Sequence, residues 1–142
     1  MNRLVGCRVV RVECSDFKFL FVALLTSLQN PTVKHLAKMR DNRSRRRAGR
    51  VLVDGWREVE LAVRSGLEIV AIYTTPTSDA EEASADGFRA SRERVVGEAL
   101  DQIVHVNDRV MARISYGQSP RGVVAEFLAP DWGLQELDSR IQ

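Results

Sequence analysis

The sequence predicts an α/β fold, a three-layer α/β/α sandwich with a small mixed sheet. Short apolar runs typical of buried strands alternate with amphipathic segments of about ten residues over most of the chain. These runs contain few polar residues, as expected for strands that are covered on both faces. A chain of 142 residues suits one compact domain better than two. We therefore expect about four strands, with helices packed on both sides of the sheet.

The first half of the pattern has clear helix and strand boundaries. Asn30 followed by Pro31 predicts a helix start, because the Asn side chain can accept hydrogen bonds from free amides and Pro suits the first turn. Residues 51–53 form a continuous apolar run, which predicts the first core strand. A second amphipathic helix is predicted from about Gly55 to Gly66, where the glycine ends it.

The second half repeats the alternation. Residues 69–73 and 103–106 are apolar runs that predict two further strands. Asn107 predicts the cap of a helix that continues to about Ile114. Residues 122–128 predict the last strand, after a link rich in turn-forming residues.

The chain divides by composition into three parts. Residues 26–130 contain the alternating pattern and form one predicted domain, while residues 131–142 predict a tail or the start of a linker. Residues 1–25 predict an N-terminal extension whose structure stays open: a strand, a helix or a disordered tail. Residues 76–90 lack apolar periodicity and predict a surface excursion.

Positive charge is concentrated in one segment of the chain. The whole chain has a net charge of +2, but the segment from Lys34 to Arg50 contains eight cations and only one acid, Asp41. The rest of the chain is therefore negative. A local excess of this size predicts a polyanionic partner, most simply a nucleic acid, although blocks of arginine are often only solvated surface. The eight cations are Lys34, Lys38, Arg40, Arg43, Arg45, Arg46, Arg47 and Arg50.

Composition argues against a membrane, secreted or metal-binding protein. The longest apolar run, Phe19 to Leu25, has seven residues, whereas a membrane-spanning helix needs about 20. Acidic residues at Glu13 and Asp16 fit neither a signal peptide nor a transit peptide. The two cysteines, Cys7 and Cys14, fit no zinc pattern and no disulfide framework. We expect a reduced, cytoplasmic setting and no membrane partner.

Four motifs in order carry a resemblance to a known family. They read SLQNPTVKHLAKMR, VLVDGWREVELAVRSG, VHVNDRVMARIS and SPRGVVAEF. Together they resemble the N-terminal substrate-binding domain of the SpoU (TrmH-like) RNA 2′-O-ribose methyltransferases, over roughly Thr26 to Ala129. The resemblance implies a domain similar to small ribosomal proteins. Two positions depart from the family pattern: Asp54 stands in place of the usual Glu, and Arg121 in place of the usual Gln.

The resemblance implies a function in RNA recognition. It makes the chain the substrate-recognition domain of an rRNA or tRNA 2′-O-ribose methyltransferase. In that family a C-terminal knotted domain binds S-adenosylmethionine and holds the catalytic residues, and its motifs do not follow Ala129. We therefore expect no catalytic residue, cofactor site or metal site in this chain, and no methyl transfer by the chain alone. The family dimerises through the knotted domain, so a homodimer is expected only where that domain is present.

The predicted RNA-binding residues are cations and turn residues. Guanidinium groups can hold phosphates through paired hydrogen bonds, which position RNA without reading its sequence. The turn before the last strand can approach the RNA backbone through exposed amides. No DNA partner is expected. The set comprises Lys34, Lys38, Arg40, Arg43, Arg45, Arg46, Arg47, Arg50, Ser119 and Arg121.

Other polar and aromatic residues have simpler interpretations. We expect His35 and His105 to have structural or surface roles. Asp54 is predicted to cap the following helix, where such a cap stabilises by about 1 kcal/mol. Trp56 can stack on a base, but its helical spacing with Val59 favours core packing.

Two other functions stay open at this stage. The chain can be a stand-alone RNA-binding protein, similar to ribosomal proteins that clamp kinked RNA. A complete enzyme of another kind is disfavoured, because the sequence offers no nucleophile–base pair, metal cluster or phosphate-binding loop.

Overall fold

The computed structural model describes residues 8–11, 21–75, 95, 97, 100–116 and 122–131. Within these ranges the strands are β1 (Arg8–Arg11), β2 (Phe21–Leu25), β3 (Arg50–Asp54), β4 (Ile69–Thr74), β5 (Ile103–Val106) and β6 (Val123–Leu128). The helices are α1 (Pro31–Lys38), α2 (Asn42–Ala48), α3 (Trp56–Arg64) and α4 (Asp108–Ile114), and a short 3₁₀ turn spans Leu100–Gln102. The predicted surface excursion at 76–90 lies outside the described residues.

The strands form one mixed sheet in the order β1-β2-β5-β4-β6-β3. Strands β2, β5 and β4 are mutually parallel, β6 runs antiparallel to both β4 and β3, and β1 pairs antiparallel with β2 at one edge. The predicted α/β class with a mixed sheet is therefore confirmed. The described residues form six strands of this sheet rather than about four, because the segment that the sequence left open contributes β1 and β2.

Two separate cores show that the sheet is covered on both faces. Neighbouring residues of a strand point to opposite faces, and the neighbours Ile72 and Tyr73 belong to different clusters, as do Val123 and Val124. The first core cluster joins α1 and α4 to the sheet through Leu25, Val33, Leu36, Met39, Leu52, Tyr73, Val106, Val110, Met111, Ile114 and Val124. The second joins α3 through Trp56, Val59, Ala62, Ile72, Val95, Val123, Ala125 and Phe127. The predicted three layers are confirmed.

Two predicted helix starts are confirmed. The Asn30 side chain accepts a hydrogen bond from the Thr32 amide at 2.8 Å, and Pro31 occupies the first turn of α1. The Asn107 side chain accepts one from the Val110 amide at 3.0 Å and so caps α4. Both asparagines satisfy amides that the helix itself leaves without acceptors.

The predicted cap at Asp54 is wrong. Helix α3 starts after Gly55, which makes no side-chain cap and has φ of 103°, a backbone conformation that favours glycine. The Asp54 carboxylate instead accepts a hydrogen bond from the Tyr116 amide, 62 residues away, at 3.0 Å. Asp54 therefore connects the end of β3 to the end of α4.

The arginine-rich connection is a helix, α2, which the sequence pattern did not predict. Asp41 caps it by accepting hydrogen bonds from the Ser44 amide at 2.9 Å and the Ser44 hydroxyl at 3.1 Å. These hydrogen bonds lower the pKa of the Asp41 carboxyl below its ordinary value. Gly49, with φ of 61°, ends the helix. The last turn contains Arg45, Arg46 and Arg47, whose charges favour the negative end of the helix dipole.

No helix in the described ranges is long and apolar enough to cross a membrane.

A matched pair of leucines tests the core assignment. Leu36 on α1 is 0% exposed, whereas Leu61 on α3 is 55% exposed. We expect Leu36→Ala to lower the free energy of unfolding by about 2–5 kcal/mol, because it removes buried methyl groups and leaves a cavity. Leu61→Ala should change it by less than about 0.5 kcal/mol. Urea unfolding monitored by circular dichroism measures both, and equal effects would contradict the assignment.

Candidate nucleic-acid interface

Most of the predicted cations are exposed on consecutive elements: α1, α2 and the turn between them. Lys34 and Lys38 are exposed on α1, and Arg40 is exposed in the turn. Helix α2 exposes Arg43, Arg46 and Arg47. Within the described part of the chain, no hydrogen bond or ion pair engages these six side chains. We call this set the basic surface: Lys34, Lys38, Arg40, Arg43, Arg46 and Arg47.

Two shallow grooves mark the basic surface. The smaller, with a volume of about 380 Å³, is lined by Arg43, Ser44 and Arg47. The larger, about 460 Å³, has an apolar floor between α1 and α4 and three cations at its rim. Its lining residues are Leu28, Gln29, Val33, Lys34, Ala37, Lys38 and Arg113. None of the described lining residues is acidic, so both grooves suit an anion.

Arg113 was missed by the sequence prediction. It is exposed in the last turn of α4, far from the arginine block in sequence. Packing of α4 against α1 brings it to the same groove as Lys34 and Lys38. Its exposed position on a predicted amphipathic helix was visible in the sequence, but the contact between the two helices was not.

Arg45 differs from the other arginines of α2, because its guanidinium already has several protein partners. One nitrogen donates to the carbonyl oxygens of Met39 and Arg40, both at 3.0 Å, and to the Tyr116 hydroxyl at 2.6 Å. The other donates to the Asn42 side-chain oxygen at 3.3 Å. These contacts fix α2 against the end of α1 and the end of α4. An RNA contact by Arg45 stays a prediction.

Tyr116 is the partner through which Arg45 reaches α4. Its hydroxyl accepts from Arg45 and donates to the Met39 carbonyl oxygen at 3.2 Å. Its amide donates to Asp54 at 3.0 Å. One residue thus connects α2, the end of α1 and the end of β3.

Arg50 also has a protein partner, a buried carboxylate on β6. The Glu126 side chain is 8% exposed; its Oε1 atom lies 3.8 Å from Arg50 Nε and 3.4 Å from His35 Nε2. Burial is the main cause that raises the pKa of the neighbouring Tyr73 hydroxyl, and the negative charge of Glu126 raises it further. His35 therefore has a structural contact, as expected, and Arg50 helps to offset a buried negative charge.

The glycines of two sequence motifs hold the strand ends together. The Gly55 amide donates to the Val123 carbonyl oxygen at 3.2 Å, and the Thr75 amide donates to the Gly122 carbonyl oxygen at 3.1 Å. Gly122 has φ of 74°, which glycine adopts at little cost. The motifs thus join the ends of β3 and β4 to the start of β6. The predicted RNA contacts Ser119 and Arg121 lie outside the described residues.

Trp56 packs in the core, as its spacing predicted. It is 1% exposed, so its ring is not accessible for stacking on a base. His105 is half-buried in β5, again a structural position. Described atoms that are buried without a hydrogen-bond partner include Asp54 Oδ1, Trp56 Nε1, His105 Nδ1 and Ser115 Oγ. Ordered water satisfies groups of this kind in many proteins.

Solved structures that share this fold include RNA methyltransferases. An RNA 2′-O ribose methyltransferase is 27% identical, with a TM-score of 0.61 over 78% of this chain and 39% of that one. An AdoMet-bound rRNA methyltransferase from Sinorhizobium meliloti is 21% identical, with a TM-score of 0.61 over 81% and 40%. The SpoU methyltransferase AviRb from Streptomyces viridochromogenes, in complex with AdoMet, is 19% identical, with a TM-score of 0.55 over 75% and 38%.

The fold is thus that of the N-terminal substrate-binding domain of SpoU-type RNA methyltransferases, and the predicted resemblance is confirmed. The chain belongs to the MRM3-like substrate-binding domain family, which it matches over residues 30–125. No curated protein matches the sequence. The chain spans about two fifths of the length of the solved methyltransferases.

Neighbouring arginines of α2 test the structural role of Arg45. We expect Arg45→Ala to lower the free energy of unfolding by about 1–2 kcal/mol, because the Met39, Arg40 and Tyr116 acceptors lose a charged donor. Arg46→Ala removes the same charge from the same helix without breaking such contacts, and should change stability by less than about 0.5 kcal/mol. Urea unfolding measures both variants. Equal destabilisation would show that Arg45 has no special structural role.

Proposed function

We propose that the chain binds RNA through its sugar–phosphate backbone and serves as the substrate-recognition domain of an rRNA or tRNA 2′-O-ribose methyltransferase. The observation that carries the proposal is the basic surface: six exposed cations on adjacent elements, with no protein partner in the described ranges. Family membership supports RNA as the polyanion, since the family is defined as a substrate-binding domain and the similar solved structures are RNA methyltransferases.

The arrangement of the cations suits phosphates. Arg43 and Arg47 lie four residues apart on α2, so they are neighbours on one face of the helix. They line a common groove, and each guanidinium can donate two parallel hydrogen bonds to one phosphate. Lys34 and Lys38 repeat the spacing on α1 as compact point charges. A backbone that follows the two helices meets successive cations without any base being read.

Salt dependence gives the proposal a measurable size. Each phosphate neutralised in single-stranded RNA contributes about −0.7 to the slope of log affinity against log salt. Six contacts from the basic surface would give a slope of about −4.

Two double variants, one on each face of the sheet, test the proposal. We expect the double variant Arg43→Ala/Arg47→Ala to flatten the salt slope by about 1.4 and to weaken RNA binding by about 25-fold at about 0.1 M salt. The control is Arg57→Ala/Arg64→Ala, which removes two exposed arginines from α3 on the other face. Fluorescence anisotropy with labelled bulk rRNA fragments across a salt series measures both. Equal slopes in the two double variants would overturn the proposal.

We further propose that recognition and chemistry are divided, and that S-adenosylmethionine binds a catalytic domain distinct from residues 30–125. Two of the similar solved structures contain AdoMet, and this chain aligns with only 40% and 38% of them. A cytoplasmic location stays part of this proposal.

The purified chain should therefore bind RNA without modifying it. Incubation with tritium-labelled S-adenosylmethionine and rRNA or tRNA should leave the RNA unlabelled, while the same preparation shifts the RNA in a binding assay. Incorporation of label above that of a heat-denatured control would contradict the proposed division.

A further inference from the structure

An exposed aromatic ring lies beside the basic surface. Tyr116 is 41% exposed, whereas Trp56, Tyr73 and Phe127 are each 3% exposed or less. Burial of most large aromatic side chains is the rule in a core. A tyrosine that stays exposed at the end of α4 therefore contributes little to the two core clusters and needs another explanation.

Hydrogen bonds at its hydroxyl and at its backbone hold Tyr116 in place. Its hydroxyl lies 2.6 Å from an Arg45 nitrogen and 3.2 Å from the Met39 carbonyl oxygen. The backbone amide of Tyr116 donates a hydrogen bond to the Asp54 carboxylate at 3.0 Å. A ring that is already ordered loses little conformational entropy when a ligand packs against it. Preorganisation of this kind favours binding more than a freely rotating side chain does.

The surroundings of the ring are cationic. The Arg45 guanidinium carbon lies 5.8 Å from the centre of the Tyr116 ring, within the range of a cation–π contact. Arg45 belongs to α2, the helix that also exposes Arg43, Arg46 and Arg47. The Tyr116 hydroxyl also donates to the carbonyl oxygen of Met39, the residue before exposed Arg40. A nucleic-acid strand with a phosphate on Arg40 therefore passes close to the ring.

We propose that the Tyr116 ring is a stacking platform for an unpaired RNA base next to the phosphates held by the basic surface. The inference rests on the proposed RNA binding and narrows its substrate class. Bases within a duplex are already stacked on each other and present no free face, whereas bases in loops and single strands do. The preferred RNA is thus single-stranded or looped at the point of contact with Tyr116.

Two oligomers separate stacking from phosphate binding. One is a single-stranded octauridine oligoribonucleotide, and the other is an abasic ribose-phosphate oligomer of the same length and charge. Base stacking on an aromatic side chain strengthens binding by roughly tenfold. We expect the wild-type chain to bind octauridine about tenfold more tightly than the abasic oligomer, with the same salt slope for both.

Two substitutions separate the ring from its hydroxyl. Tyr116→Phe loses the contacts to Arg45 and Met39 but keeps the ring, and should keep most of the preference for octauridine. Tyr116→Leu loses both and should bind the two oligomers equally. The Phe variant therefore controls for any disturbance of α2. If the Leu variant does not fold, Tyr116→Trp replaces it and should preserve or increase the preference.

The outcomes distinguish this inference from the proposed function. Equal binding of the two oligomers by the wild type, with a steep salt slope, overturns the stacking role and leaves phosphate binding intact. An equal loss of preference in the Phe and Leu variants also overturns it, because Tyr116 would then act only by positioning Arg45. Absence of binding to either oligomer, together with no effect of Arg43→Ala/Arg47→Ala on bulk RNA, overturns the proposed function itself.

Discussion

Burial of strand β6 on both faces is the constraint that the rest of the structure depends on. Every residue from Val123 to Phe127 is buried, with the odd-numbered residues in one core cluster and Val124 in the other. A strand of this kind is stable only when apolar layers cover both sides of the sheet. Helices α1 and α4 supply one layer and α3 supplies the other. The hydrogen bond from the Gly55 amide to the Val123 carbonyl oxygen then fixes the end of β3 beside the start of β6.

Because the core is built by the inner faces of the helices, the outer faces can carry positive charge at small cost to the stability of the fold. The apolar residues of α1 are used on the inner face, so Lys34 and Lys38 are left to solvent. Helix α2 has no buried residue. It depends on the Asp41 cap, on Gly49 and on the Arg45 contacts to the ends of α1 and α4. Like charges three and four residues apart repel one another on a helix. A polyanion that binds this surface relieves that repulsion, so binding and the stability of α2 support each other.

Patterns of neighbouring residues predicted the structural features that interactions between neighbouring residues determine. The run 103–106 and the caps at Asn30 and Asn107 were found because apolar periodicity and capping are properties of a few adjacent residues. Helix α2 was missed because its residues have no apolar periodicity. The Asp54 acceptor, the burial of Glu126 and the contribution of Arg113 each depend on residues far away in the chain. No pattern of neighbouring residues could have revealed them.

The contact between Arg45 and Tyr116 connects the arginine-rich helix α2 to an exposed aromatic ring. Phosphate contacts alone hold any RNA of suitable backbone geometry, because all nucleotides carry the same phosphate. Discrimination between paired and unpaired RNA needs a group that interacts with a base, and an aromatic ring provides it. Arg45 lies on the helix that carries three arginines proposed to bind phosphate, and its guanidinium donates a hydrogen bond to the Tyr116 hydroxyl. If RNA binds as proposed, the protein sets the distance between the bound phosphate and the stacked base in advance, and that spacing becomes a basis for selection.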